Sequence, residues 1–320
     1  MKITKKAFSL TSPSSKLSSP PLTLDKSKKS PAHTKRLSLL AALCLQAPLL
    51  CHALDVDPGD YTPLPDGTKL GLLYMQHAER KDQYINEKKV SDNAHFDTNI
   101  AILRAVRYQN IGEHVTNIQL LLPFGHIDTG GDVDALGSER GMGDPILAGV
   151  IFTKGSTQNR AFGITQYLYL PLGEYDKDSP INIGENRWKY VIQGGYMHTL
   201  TEKFVADIVA DVTLFGDNND FTSADLTLEQ APQYQLQGFL RYNLTERASF
   251  HVGYSRLWGG ETKVDGVRMD DESNQEKLLA GGSYFVGPRT QVLATFGRDT
   301  SIDNGFREDS RINFRLMHIF

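Results

Sequence analysis

Period-two alternation runs through residues 203–214 almost without a break. Phe204, Ala206, Ile208, Ala210, Val212 and Leu214 oppose Lys203, Asp207, Asp211 and Thr213. Successive side chains on a strand point to opposite faces, so this segment has one oily side and one wet side. Similar runs recur near 69–78, 96–108, 115–124, 146–153, 162–170, 187–198, 233–242, 248–257, 278–286, 290–298 and 311–320. In 187–198, Trp188, Tyr190, Ile192 and Tyr196 face away from Arg187, Lys189 and Gln193. In 233–242, Tyr234, Leu236, Leu240 and Tyr242 face away from Gln233, Gln235, Gln237 and Arg241. The run 96–108 is the weakest, since its phase slips near Arg104 in the manner of a β-bulge.

The connections sort by length. Those at 109–113, 154–160, 199–202, 243–246 and 287–288 are short; those at 79–95, 125–144, 173–186, 216–229, 259–276 and 299–309 are long and polar. Short and long links alternate from start to end, which a soluble sandwich has no reason to do. The expectation is an all-β fold over 69–320, a transmembrane antiparallel β-barrel of about 12 strands with short periplasmic turns and long extracellular loops. Tyr74, Trp188, Tyr196, Tyr242, Tyr254 and Tyr284 lie near run ends, where interfacial girdles would form. The last run sets Ile312, Phe314, Leu316 and Phe320 against Arg311, Asn313 and Arg315. It reads as the closing strand, with Phe314 and Phe320 at a terminus that pairs with the first strand and is offered to the barrel assembly machinery.

Composition narrows the class. Beyond the N-terminal oily run no segment offers about 18 consecutive apolar residues, which excludes a helical membrane protein. Residues 37–50 are apolar apart from Ser38 and Gln46, follow Lys35-Arg36 and lead into Cys51-His52-Ala53. That order is a secretory signal peptide cut near Ala53, and 1–53 are assigned to an N-terminal extension and signal peptide of a bacterial outer-membrane protein. Leu43 and Leu50 precede the two cysteines, Cys44 and Cys51, which excludes a lipoprotein site, and the remaining chain is cysteine-free. Residues 1–53 hold nine of the 34 Lys/Arg and one of the 38 Asp/Glu, so the rest carries a formal charge of −12, which argues against a nucleic-acid partner. Residues 54–68, rich in Pro, Gly and Asp, form a leader that either folds into the periplasmic mouth as a plug or stays outside it.

A twelve-stranded barrel has a narrow lumen, between the filled interior of eight strands and the water channel of sixteen. Its expected lining includes Tyr167, Tyr169, Arg187, Lys189, Asp207, Asp211, Phe239, Arg241, Arg311 and Arg315. Their charges either pair to stabilise a polar interior or select solutes by charge; the rings suit an aromatic solute. Expected partners are outer-membrane lipid, lipopolysaccharide and a small-molecule solute. The Asp-rich loops (Asp128, Asp132, Asp134; Asp217, Asp220; Asp270, Asp271) lack an EF-hand spacing and read as solvated charge, with cation bridges to lipopolysaccharide as the alternative. His251 and Ser255 share a face, but it is the lumen face and offers no oxyanion hole, so no enzyme activity is expected. No cofactor or metal fingerprint occurs, and none is expected. A structural or adhesive barrel without transport, a barrel hydrolase and a soluble lipocalin-like binder are the other readings.

Leu122-Pro123-Phe124-Gly125, Gly143-Asp144-Pro145, Leu170-Pro171-Leu172-Gly173-Glu174-Tyr175 and Ile183-Gly184-Glu185-Asn186-Arg187-Trp188 occur in that order. Gly259-Gly260-Glu261-Thr262, Gly297-Arg298-Asp299 and the terminal Phe320 follow them. Over roughly 67–320 the chain thereby resembles the outer-membrane transporters associated with meta-pathway phenol degradation. The resemblance implies uptake of aromatic or other hydrophobic compounds and supplies no binding residues.

Overall fold

Alternation of lipid-facing and lumen-facing residues is satisfied only if the sheet closes, because hydrocarbon offers no partner to an unpaired strand edge. In the computed structural model, which describes residues 55–320, it does close. The barrel strands are β1 (Lys69–Ile85), β2 (Phe96–Ile111), β3 (His114–Thr129), β4 (Ile146–Phe152), β5 (Arg160–Tyr169) and β6 (Lys189–Thr199). They continue as β7 (Phe204–Phe215), β8 (Gln233–Asn243), β9 (Ala248–Gly259), β10 (Ser273–Phe285), β11 (Thr290–Ile302) and β12 (Gly305–Ile319). Each pairs antiparallel with its neighbour in sequence, and β12 returns to β1 from Leu70↔Ile319 to Tyr84↔Gly305. The Phe320 amide donates to the Lys69 carbonyl at 3.0 Å and completes the seam. The signal-peptide assignment and both cysteines lie outside the described residues.

The outer surface is apolar over a continuous band. Ile118, Leu147, Ile164, Ile208, Val252, Leu278 and Ile312 are all exposed, a pattern untenable in water and required against acyl chains. Rings flank the band at both ends, Phe204 beside Tyr242 at 5.1 Å near the short turns and Tyr234 on Trp258 at 5.8 Å near the long loops.

Several expectations need correction. The link 299–309 is strand: β11 and β12 turn at Asp303-Asn304, and β1 likewise runs to Ile85 and pairs with Lys88–Ser91. Residues 125–129 continue β3, and Ser138–Met142 pairs with them. Polar residues occupy most positions of these extensions on both faces, so the alternation that marks a membrane strand disappears while the backbone ladder continues. The phase slip near Arg104 is absent, and β2 pairs with β1 and β3 without a shift. Ile100, Ile102, Val106 and Tyr108 point inward with Arg104, and an inner wall this oily erases the contrast between faces. Tyr74 belongs to that wall rather than to a girdle; its hydroxyl accepts a hydrogen bond from Arg104 Nη1 at 2.8 Å.

Loops pack together at the extracellular end. Phe96 stacks on Phe306 at 4.8 Å within a buried cluster that also holds Ile127, Val133, Leu136, Ile181 and Ile183. Four short strands, Asn218–Phe221, Leu226–Gln230, Thr262–Val264 and Val267–Arg268, form a separate sheet from the loops after β7 and β9. Between β11 and β12, backbone pairing stops at Gly297↔Arg311. Beyond it β11 keeps to β10 and β12 keeps to β1, and the Glu308 amide reaches across to the Asp299 carboxylate at 2.7 Å.

Candidate functional site: the lumen and its leader

The lumen has two unlike walls. Leu70, Leu72, Val106, Tyr108, Val150, Phe152, Ala161, Met197, Val205 and Val209 bury an apolar surface in its periplasmic half. Next to Val209, β8 offers Gln237 and, farther toward the extracellular end, Gln235 and Gln233, all buried. Buried polar side chains need partners, and residues 55–61 of the leader supply many of them. Asp55 Oδ1 accepts from Gln235 and Gln237 at 2.8 and 3.0 Å, and the Val56 amide donates to Gln237 Oε1 at 3.1 Å. Val56 and Tyr61 join the apolar cluster. A tight turn (Thr62 amide to Gly59 carbonyl, 3.0 Å) aims the Tyr61 ring at β5 and β6, where its hydroxyl meets Thr165 at 2.8 Å and Gln193 Oε1 at 2.9 Å.

Three leader carboxylates meet three barrel arginines. Asp55 is 2.7 Å from Arg311, and Asp57 and Asp60 each accept from Arg315 Nη1 at 3.0 Å. Asp60 also accepts from Arg104 at 3.0 Å. Arg311 and Arg315 are buried. Buried guanidinium groups are costly unless countered, so the leader both fills and neutralises the lumen.

Two cavities remain, one on each side of the leader. The extracellular-side chamber is about 170 Å³, bounded by Asp55, Asp57, Ile100, Ile102, Leu121, Tyr169 and Arg311. The periplasmic vestibule is about 640 Å³ and is bounded by Asp60, Tyr61, Tyr167, Arg315 and the short-turn residues Lys203 and Arg247. Arg104 borders both.

Asp207 is paired bidentately with Arg241 at 2.6 and 3.0 Å. Asp211 accepts from Gln193 at 3.1 Å, and Tyr167 donates to the same glutamine at 3.2 Å. The Phe239 ring covers Gly253, whose added Cβ would lie 2.4 Å away. Lys189 lies over the Tyr169 ring at 4.3 Å. Arg187 is in the loop before β6 and, with Lys189, grips Glu185. Burial would raise the Glu185 carboxyl, but Lys189 and Arg187 outweigh it and hold it down to about 2. In the same loop cluster burial raises Asp144, which accepts from the Gly173 and Glu185 amides at 2.9 and 3.0 Å. Phe314 is on the lipid face and Phe320 at the periplasmic rim. Alternation alone does not mark Arg104, Tyr61 or the three leader aspartates as lumen residues. The available clue was an Asp-x-Asp-x-x-Asp leader beside lumen arginines with too few acids opposite.

The family model described as "Putative MetA-pathway of phenol degradation" matches residues 80–316. The crystal structure of the COG4313 outer membrane channel from Pseudomonas putida F1 is 35% identical, covers 83% of this chain and 100% of its own, and superposes with a TM-score of 0.81. The chain belongs to this family. Its place is therefore the bacterial outer membrane. The β domain of the Bordetella autotransporter BrkA, at 14% identity and TM-score 0.50, covers 80% of this chain and 100% of its own and shares the fold alone. No curated relative matches in sequence.

In this family member His251 and Ser255 serve different partners: His251 Nε2 meets Thr295 at 2.9 Å, while Ser255 accepts from Gln235 at 3.1 Å. His318 meets Thr290 at 2.8 Å. The loop aspartates are tied within the loops: Asp132 accepts from Ser91 at 2.6 Å and Asp271 from Thr262 at 2.6 Å. Among the described residues no cluster of three potential metal ligands forms.

Proposed function

We propose that the protein is a passive channel for small hydrophobic or aromatic compounds, with 54–68 as a plug that yields to the solute. The observation that carries the reading is the division of one partly apolar lumen into two cavities by residues 55–61. The similar structure from Pseudomonas putida is that of an outer membrane channel. Tyr167, Tyr169, Lys189, Asp207, Asp211, Phe239, Arg241, Arg311 and Arg315 line the path, and Arg187 holds the extracellular loop beside it. Export through a signal peptide ending near Ala53 and assembly through the β12 terminus complete the proposal. Planar-bilayer conductance and liposome flux of phenol test it, on the whole barrel and after deletion of 55–61. Flux that rises on deletion supports the plug; no flux in either form rejects the channel.

A further inference from the structure

The leader's aspartates occupy sites that the barrel itself does not neutralise. Apart from Asp57 and Asp60, no carboxylate among the described residues lies within ion-pair range of Arg104 or Arg315. On the barrel their partners are neutral: Gln119 and Tyr74 for Arg104, Gln291 for Arg315. Arg315 is only 5% exposed, and its Nε is buried with no acceptor. One of its nitrogens carries two carboxylates while another carries none, so its capacity for a planar bidentate anion is unused.

We propose that Arg104 and Arg315 form a binding site for the carboxylate of a small aromatic acid, which the leader fills with Asp57 and Asp60 as internal substitutes. The proposal rests on the channel reading above and gives its solute a charge. Any solute that shifts the leader strips two guanidinium groups of their counter-ions, which is costly for buried charges. A neutral solute brings no counter-ion to the site, whereas a carboxylate exchanges one anion for another. Arg104 borders both cavities and Arg315 the periplasmic one, so passage between them leads past the site. On its extracellular side Ile100, Ile102, Leu121 and Tyr169 bound about 170 Å³, comparable to the roughly 150 Å³ that takes up a benzene. A ring can rest there with its carboxylate on Arg104, in the place of Asp60, which bridges Arg104 to Arg315, and with the Tyr74 hydroxyl held on Arg104 beside it.

The test is titration calorimetry at pH 7 on the full barrel in detergent, with benzoate and its uncharged counterpart benzyl alcohol as probes. Benzoate should bind at least about tenfold more tightly, the difference made by one charge-assisted hydrogen bond. Replacing the competitor, in the double variant Asp57→Asn with Asp60→Asn, should tighten benzoate further. Arg315→Gln should abolish the preference in protein whose gel mobility still shifts on boiling. Equal binding of the two probes, or weaker benzoate binding in the double Asn variant, overturns the proposal. Flux of phenol without benzoate preference would leave the channel and remove the acid site. Benzoate preference without flux would do the reverse.

Discussion

The Tyr61 ring lies directly against the α-carbon of Gly195. A Cβ placed on Gly195 would fall 2.2 Å from that ring, closer than any real contact. The glycine on β6 is therefore the seat of the leader, and its missing side chain is what lets an aromatic cross the lumen there. Gly195→Ala should unseat Tyr61 at a cost of about 1–3 kcal/mol, typical of overpacking. The barrel ladder needs no side chain at that position, so the folded protein should keep its gel shift on boiling. Open-channel events in planar bilayers should become more frequent. Conductance matching that of the unaltered protein would contradict the seating.

Where β11 and β12 separate, Glu308 holds the seam with charge. It is fully buried, 2.5 Å from both Arg80 and Lys277 and 3.7 Å from Arg311. Removing one member of a buried ionic cluster leaves its partners uncompensated and costs about 3–5 kcal/mol. Glu308→Gln should lower the temperature at which the barrel loses its compact gel form by roughly 5–15 °C. A change of only a degree would mean that the neighbouring ladders hold the seam unaided.

The loop before β6 should come loose only in strong acid. Glu185 ordinarily titrates near 4.5 and is held at about 2 in the fold. A depressed carboxylate contributes its full stabilisation above its unfolded value and loses it as pH falls toward the folded one. Trp188, half exposed and adjacent to the Arg187 anchor, reports the change. Its fluorescence should be flat from pH 7 to about 5 and shift between about 4.5 and 2. Glu185→Gln should show the acid-form signal already at pH 7; a variant with the unaltered pH profile would dissociate Trp188 from this pair.

Closure should depend on the last residue. The Phe320 amide bonds to Lys69, and its ring lies 3.1 Å from where a Cβ on Gly71 would be. Deleting Phe320 removes one ladder bond and an interfacial ring, together about 1–3 kcal/mol. Folding into liposomes, followed by the appearance of the fast-migrating band, should slow. An unchanged time course would show that the seam forms without it.

The strands were legible where lipid and lumen differ in kind. On β7, Ile208 meets acyl chains while Asp207 meets Arg241, and the resulting alternation shows in the letters of the sequence. On β2 the contrast fails, since Ile100 and Ile102 are oily and inward. Arg104 is inward too, its charge bound to a leader residue 44 positions away. The extensions of β1, β11 and β12 beyond the membrane escape for the opposite reason, because polar residues occupy most positions on both their faces.

The sequence by itself determined the closed antiparallel barrel, its strand number and its outward band, because each follows from local period and from the solvent each face meets. Only the tertiary structure decided what fills the barrel. The ion pair of Asp60 with Arg315 spans 255 positions. No local pattern encodes such a pairing, since it depends on which side chains closure brings to the same height in the lumen.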